Sequence, residues 1–416
     1  MSAGGDLGSQ GRHGSAEAAT ALGAAAVRTR AYLDHNATSP LRPQARAALV
    51  AALDAGGNAS SVHAEGRAAR TRIEAARAEV ARLVGSPPRA VVFTSGATEA
   101  AALALHPAVE IAGRARPCQV LLASAVEHPA VLRGHRFADD AVEILPVDGA
   151  GRLDLDALAL AIARHRATGR RPMLALMAAN NETGVIQPVA QAAALVHAAD
   201  GIVFCDAVQA AGRIAVDMTA LGADFLALSA HKLGGPPGIG ALVAAGPDHR
   251  TAPLLSGGGQ ERSRRAGTEN GPAICGFGAA ASAARASLDA ETVRLAGLRD
   301  RLERAVLASV AGAGVVASGV DRLPNTSMLT FAGLRAETLV IALDLAHLSV
   351  SAGSACSSGK VGASHVLAAM GLPDDEAAGA IRLSLGWSST DADVDAVVTA
   401  IAKAVSDLRR RASCAA

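Results

Sequence analysis

The sequence predicts an α/β chain, in which a large unit on a mostly parallel sheet is followed by a smaller α+β unit. Short apolar runs recur along the first two thirds, each ending in polar or glycine turn residues and leading into a helical pattern. Strands that alternate with helices in this way pair in parallel. After Gly276 the alternation gives way to a long Ala/Arg/Glu helical stretch running to about Val310, then to shorter strand-like runs. A length of 416 residues accommodates two such units.

In order along the chain, residues 1–30 are rich in Ser, Gly and Ala and read as a disordered tail; Arg12 and the scarcity of acids keep a signal or transit peptide as the competing reading. Order begins with the extended run Tyr32 to Pro40, followed by helical stretches over Pro43–Leu53 and Glu65–Val84. Gly85-Ser86-Pro87-Pro88 stops the second helix before the buried-strand run Ala90–Thr94, which enters the turn Ser95-Gly96-Ala97-Thr98 and a further helix. The same order returns at Gln119–Ala123 before Glu127-His128, at Met173–Met177, at Ile202–Cys205 before Asp206, and at Phe225–Leu228 before Ser229-Ala230-His231-Lys232. A strand near Ser327–Phe331 and a final helix over Asp391–Arg411 belong to the smaller unit. The expected division is residues 44–290 for the large unit, and 31–43 with 291–416 for the small one. Ligands of parallel sheets sit at the carboxyl ends of the strands, where these polar residues gather.

Composition excludes several classes of function. Apolar residues are 50% of the chain but aromatics only 2%, so the core is built from Ala, Leu, Val and Ile, with no rings to spare for base stacking. Lys+Arg 39 against Asp+Glu 38 leaves a net charge of +1, which gives nucleic acid no basic groove. Cysteines at 118, 205, 275, 356 and 414 include no C-x-x-C pair, which fits neither a disulfide framework nor a zinc site and points to a reducing, cytosolic setting. No apolar run approaches the ~18 residues that cross a bilayer.

Lysine is scarce, occurring only at 232, 360 and 403. Lys232 follows a strand end and precedes the glycine-rich Gly234 to Gly240, whereas Lys403 lies on the amphipathic terminal helix. Asp206 closes another buried strand. Pyridoxal phosphate chemistry needs a lysine to tether its aldehyde and an acid to keep the pyridine nitrogen protonated, and Lys232 and Asp206 suit those roles. An aspartate at a strand end also serves as a helix N-cap. The phosphate needs donors at a helix start, which Ser95 to Glu99 offer, with Ser229 and His231 as further donors. Cys356 sits in Ser351 to Gly359, a small-residue stretch without large apolar neighbours, which suits a mobile loop; Cys118, Cys205 and Cys275 read as core and Cys414 as tail. Arg382 interrupts a strand-like run where an unpaired charge is costly, so it calls for an anion, either a ligand carboxylate or a structural ion pair.

Together these segments resemble a cysteine desulfurase of the group represented by the nitrogen-fixation and housekeeping iron-sulfur enzymes, among the class V aminotransferase relatives. The resemblance covers residues 32 to about 410 and rests on Tyr32–Pro40, Phe93–Glu99, Glu127-His128, Asn180–Gly184, Asp206–Gln209, Ser229–Lys232, Gly257–Thr268, Ser351–Ser358 and Ile381–Gly386. It implies a pyridoxal-phosphate-dependent transferase of fold type I, with a large domain on a mostly parallel mixed sheet and a smaller α+β domain carrying the cysteine loop. By the same resemblance Lys232 tethers the cofactor and acts as base, Asp206 meets the pyridine nitrogen, Gln209 and Asn181 lie near the ring hydroxyl, and His128 stacks on the ring and serves as acid/base. Ala97, Thr98, Ser229 and His231 hold the phosphate, and Thr268 reaches the partner subunit's cofactor, which implies a homodimer. Arg382, with Asn181, binds the carboxylate of L-cysteine, and Cys356 takes the sulfur as a persulfide while L-alanine leaves. An iron-sulfur scaffold or another sulfur-acceptor protein is the implied partner. No resident metal is implied, and Cys356 as a transient iron-sulfur ligand stays open.

The chain departs from the family at Ala101-Ala102 and Ala178-Ala179, where larger or polar residues are usual. Neither pair carries an assigned role, so the departures bear on packing near the cofactor. Two other readings remain: a selenocysteine lyase or other aminotransferase-type enzyme on the same frame, and a non-catalytic scaffold of iron-sulfur assembly.

Overall fold

A seven-stranded sheet organises the computed structural model, which describes residues 30–353 and 364–415. Its strands are β1 (Val91–Thr94), β2 (Val120–Ser124), β3 (Val142–Leu145), β4 (Pro172–Met177), β5 (Ile202–Asp206), β6 (Phe225–Ser229) and β7 (Gly240–Ala244), in the spatial order β1-β7-β6-β5-β4-β2-β3. The five neighbours from β6 to β3 run parallel, and β7 runs antiparallel to both β6 and β1. Both faces are covered. Along β4, Leu174 and Leu176 point into one core with Ile73, Val80, Ile274 and Phe277, while Met173 and Ala175 point into the other with Ala100, Leu103 and Phe204. Burial on both sides explains why these strands read as unbroken apolar runs.

Strands β3 and β7 were not among the expected elements. β3 is an edge strand with Ile144 half exposed, so its short run alternates too little to stand out. β7 follows the glycine-rich turn as five small or aliphatic residues. Gly240 at its start has a specific cause: a Cβ there would lie 2.7 Å from the backbone of Gly96 and 2.6 Å from the Leu228 carbonyl. The strand can thus pass directly beneath the turn that leaves β1.

The long helix expected to run to Val310 is two helices. Gly271–Ala286 packs Ile274 and Phe277 into the core of the large sheet, against the helix Ala64–Leu83. Leu288–Ser309 turns Leu295, Leu298 and Leu302 into a second core. Ser287, at φ −103° and ψ 3°, breaks the helix between them. Helical periodicity continues through the break because each helix is amphipathic, but the two apolar faces serve different cores.

That second core lies against an antiparallel sheet of β8 (Ala313–Val315), β9 (Thr326–Phe331), β10 (Ser351–Ala352) and β11 (Ile381–Ser384), in the order β8-β9-β11-β10, with the terminal helix Asp391–Ala415 packed upon it. The N-terminal pair Ala31–Tyr32 joins Leu348–Ser349 in parallel, and Leu33 is buried in the same core. Among the described residues no helix is long and apolar enough to cross a membrane. The expected tail and the stretch 354–363, with Cys356 and Lys360, lie outside the described residues.

Candidate active site

The carboxyl ends of β1, β2, β4, β5 and β6 open into one cavity of about 360 Å³, lined by Ser95, Gly96, Ala97, Thr98, His128, Asn181, Asp206, Gln209, Ser229, His231 and Lys232, among others. The sequence places these residues at strand ends, and parallel pairing gathers the ends on one side. Asn36, from the turn after Tyr32, adds a wall the strand pattern does not predict. Its Nδ2 donates to the Asn181 carbonyl at 3.1 Å and to Thr326 Oγ1 at 2.9 Å, which fixes the turn across the cavity.

Lys232 is half-buried in a single 3₁₀ turn after β6, and its Nζ donates to the carbonyls of Asn36 (2.5 Å) and Ala37 (2.9 Å). Asp206 ends β5, and its Oδ1 accepts from Val208 N at 2.9 Å. Burial raises the Asp206 carboxyl above its ordinary range, against the pull of the Val208 amide, His128 and Lys232. A cationic ring nitrogen beside it would restore the carboxylate. His128 caps the short helix Pro129–Leu132, its Nδ1 accepting from Ala130 N at 3.1 Å. An accepting Nδ1 leaves the proton on Nε2. Burial lowers His128 below its usual value, with Lys232 acting in the same sense and Asp206 opposing, so the ring is held neutral.

At the other end of the cavity, the helix Ala97–Ala104 begins directly after β1. Glu99 reaches back to Ser95 N at 2.7 Å and is itself paired with Arg265 Nε at 2.9 Å. The amides of Ala97 and Thr98, in the first turn, have no helical carbonyl behind them, and both residues line the cavity together with Ser229 and His231. His231 Nδ1 lies 3.2 Å from Thr38 Oγ1, and burial, then Lys232 and Arg213, lower its pKa to about 4. A ligand with an anionic group at this end, an aromatic cation over Asp206 and an electrophilic carbon at Lys232 fits these donors. These are the features of pyridoxal phosphate.

Arg382 is 1% exposed on β11 and lies behind the cavity wall rather than among its lining residues. One terminal nitrogen donates to the Asn181 carbonyl at 3.0 Å and the other to Asp34 Oδ1 at 2.8 Å, while Nε has no partner among the described residues. The pattern read from sequence shows a buried cation but not Asp34, 348 positions away. Ser351, on the strand that leads to residue 354, donates to Asp34 Oδ2 at 2.7 Å, and Ser364 donates to Glu182 Oε2 at 2.6 Å. Burial pushes Glu182 up to about 7. Both ends of the stretch that holds Cys356 are thus tied to carboxylates beside Arg382 and Asn181.

Thr268 is exposed, away from the cavity, on the segment after Gly257. Cys118 and Cys205 are buried as expected, but Cys275 is only half-buried and Cys414 extends the terminal helix instead of a tail. Sequence reasoning missed Asn36, Asp34, Glu182 and Arg213 as site residues. The first three stand inside the polar turn stretches Asp34–Ser39 and Asn180–Gly184, where nothing local sets them apart from their polar neighbours.

His35, at the foot of the same turn, is 1% exposed with Nδ1 2.9 Å from Ser39 Oγ. Burial, then Arg213, Arg42 and Arg294, lower its pKa to about 3. The folded ring stays neutral where the unfolded one charges, so this contribution to stability is intact above about pH 6.5 and is lost as pH falls toward 3. Denaturant melts between pH 6.5 and 4.5 are expected to lose about 1 kcal/mol per pH unit through His35. His35→Gln should flatten that slope; an unchanged slope contradicts the neutral assignment.

Comparison with known proteins follows the same lines. The class-V aminotransferase family model matches residues 31–397. The chain is 42% identical to a cysteine desulfurase of Gluconacetobacter diazotrophicus, over 91% of this chain and 94% of that one. Among solved structures, a NifS-like protein from Rickettsia africae is 31% identical with a TM-score of 0.80, covering 90% of this chain and 99% of its own. The protein SspA, solved in complex with cysteine, is 26% identical with a TM-score of 0.68, over 86% and 99% of the two chains. With its strand-end residues gathered at one cavity and this likeness over most of its length, the chain belongs to the class-V aminotransferase family, among its cysteine desulfurases.

Proposed function

We propose that the protein is a pyridoxal-phosphate-dependent cysteine desulfurase that converts L-cysteine to L-alanine and takes the sulfur on Cys356. The observation that carries this reading is the meeting of Lys232, Asp206, His128 and the Ala97–Thr98 amides at a single cavity. The cofactor, when bound, supplies an electrophilic carbon and a ring that accepts the electron pair released at the substrate α-carbon. Lys232 anchors it, and its amine is the base placed to move the α-proton. With the cofactor bound, Asp206 would pair with its ring nitrogen, Gln209 and Asn181 would serve its ring oxygen, and Ala97, Thr98, Ser229 and His231 would hold its phosphate. Neutral His128 would present its ring face for stacking and its Nε2–H as a hydrogen-bond donor to the substrate sulfur; to take the thiol proton as a base it must shift to the Nδ1–H tautomer and release Ala130 N.

Arg382 and Asn181 bind the substrate carboxylate in this reading, with Asp34 holding the guanidinium in its plane. Cys356, as thiolate, attacks the sulfur of the substrate: the C–S bond breaks, an S–S bond forms on the enzyme, and alanine departs with the electron pair and a proton. No outside oxidant or reductant is needed. We further assign residues 44–290 to cofactor binding and 31–43 with 291–416 to the unit that carries Cys356, with Thr268 serving the partner's site in a cytosolic homodimer. The persulfide passes to a sulfur-acceptor protein, such as an iron-sulfur scaffold.

Arg382→Lys tests the substrate contact. Losing the planar fork should raise KM for L-cysteine about 10- to 100-fold with a smaller change in kcat. An unchanged KM removes Arg382 from substrate binding. The reaction itself is tested by incubating loaded protein with L-cysteine and quantifying products: alanine equal to sulfur released is expected, whereas keto acid in its place makes the protein a transaminase.

A further inference from the structure

We propose that Arg213 is a positioning residue that orients the Gln209 amide toward the cavity, a role that rests on the cofactor reading above. Arg213 follows the turn after β5 and is buried one layer behind the cavity wall. Its partners among the described residues are four oxygens, none of them a carboxylate: the Gln209 carbonyl at 2.8 Å, Gln209 Oε1, the His35 carbonyl at 3.1 Å and the Lys232 carbonyl at 3.5 Å. Two of the residues it holds, Gln209 and Lys232, line the cavity.

The orientation of the Gln209 amide follows from donor chemistry alone. A guanidinium only donates, so the end beside Arg213 must be the oxygen. A backbone carbonyl only accepts, so the end that meets the Asn36 carbonyl at 3.1 Å must be the nitrogen. Gln209 therefore turns its NH₂ to the cavity side, with one hydrogen on Asn36 and the second for a ligand oxygen. Without the guanidinium only the Asn36 carbonyl holds the amide in this sense, and the side chain loses the partner that pins its oxygen away from the ligand, so its second N–H is no longer held on an oxyanion. Burial and the neighbouring Arg382 lower the Arg213 pKa to about 9, which still leaves it charged at neutral pH. A buried cation without a carboxylate partner is costly to fold around unless it holds something in place.

The test is a pH titration of the visible absorbance of protein loaded with pyridoxal phosphate. A donor at the ring oxygen stabilises its anion, so Gln209→Met should raise the titration midpoint by about one pH unit. Arg213→Met should raise it by a similar amount, Arg213→Lys by part of it, and the double variant R213M/Q209M no further than Q209M alone. An additive double variant overturns the proposal, because Arg213 would then act through its charge and not through Gln209. Wild-type midpoints in both Arg213→Met and Arg213→Lys overturn it as well, and Arg213→Lys alone decides if Arg213→Met does not fold. If Gln209→Met moves nothing, both this proposal and the placement of Gln209 at the ring fail. Absence of any visible band overturns the cofactor reading and the proposal together.

Discussion

Lys232→Ala is expected to lose the visible absorbance of the cofactor-loaded protein and to lower the turnover of L-cysteine by about 10,000-fold or more. The expectation rests on position. Lys232 is held at the cavity wall by two carbonyls, across from Asp206, and its amine is both the anchor of the cofactor and the base for the α-proton. Removing one residue therefore removes two functions. Among the described residues the other lysine, Lys403, is not a cavity residue. Turnover within about tenfold of wild type would show that another group supplies the base. A colourless wild-type protein would instead favour the non-catalytic scaffold.

Cys356→Ala should lower alanine formation from L-cysteine by about 1,000-fold while leaving the visible absorbance in place. The two variants thus separate: one loses colour and activity, the other activity only. The same variant discriminates between related enzymes. If the wild type itself releases little sulfide from L-cysteine while selenide release from selenocysteine is fast and survives in the variant, the protein is a selenocysteine lyase, because selenium leaves without help from a protein thiol. Loss of both with the colour intact supports sulfur capture by Cys356.

Much of this site was legible in the sequence because the polar residues stand at the ends of apolar runs. Asp206, Lys232 and His128 each follow a strand of buried aliphatic residues, and parallel pairing leaves such ends on one side of the sheet. What was not legible depends on partners far apart in the chain. Arg382 read as a buried cation in search of an anion, yet nothing local pointed to Asp34 or to the carbonyl of Asn181. Arg213 carries no local signal in the sequence; its meaning comes from burial behind Gln209 and Lys232.

The fold shows the same division. Continuous runs such as Pro172–Met177 announce themselves, since both faces are buried. The edge strand Val142–Leu145 and the antiparallel Gly240–Ala244 do not, because one is half exposed and the other is short and follows glycines. The break at Ser287 was hidden for another reason. Two amphipathic helices joined end to end keep one period, and only the existence of two cores tells where the first stops.

The most direct measurement is a single turnover of loaded protein with L-cysteine, stopped by alkylation, with mass spectrometry of the peptide that carries Cys356 and parallel quantification of alanine. The account predicts one added sulfur on Cys356 for each alanine formed. Alanine appearing while Cys356 stays unmodified, with sulfur on Cys118, Cys275 or no residue at all, would contradict it.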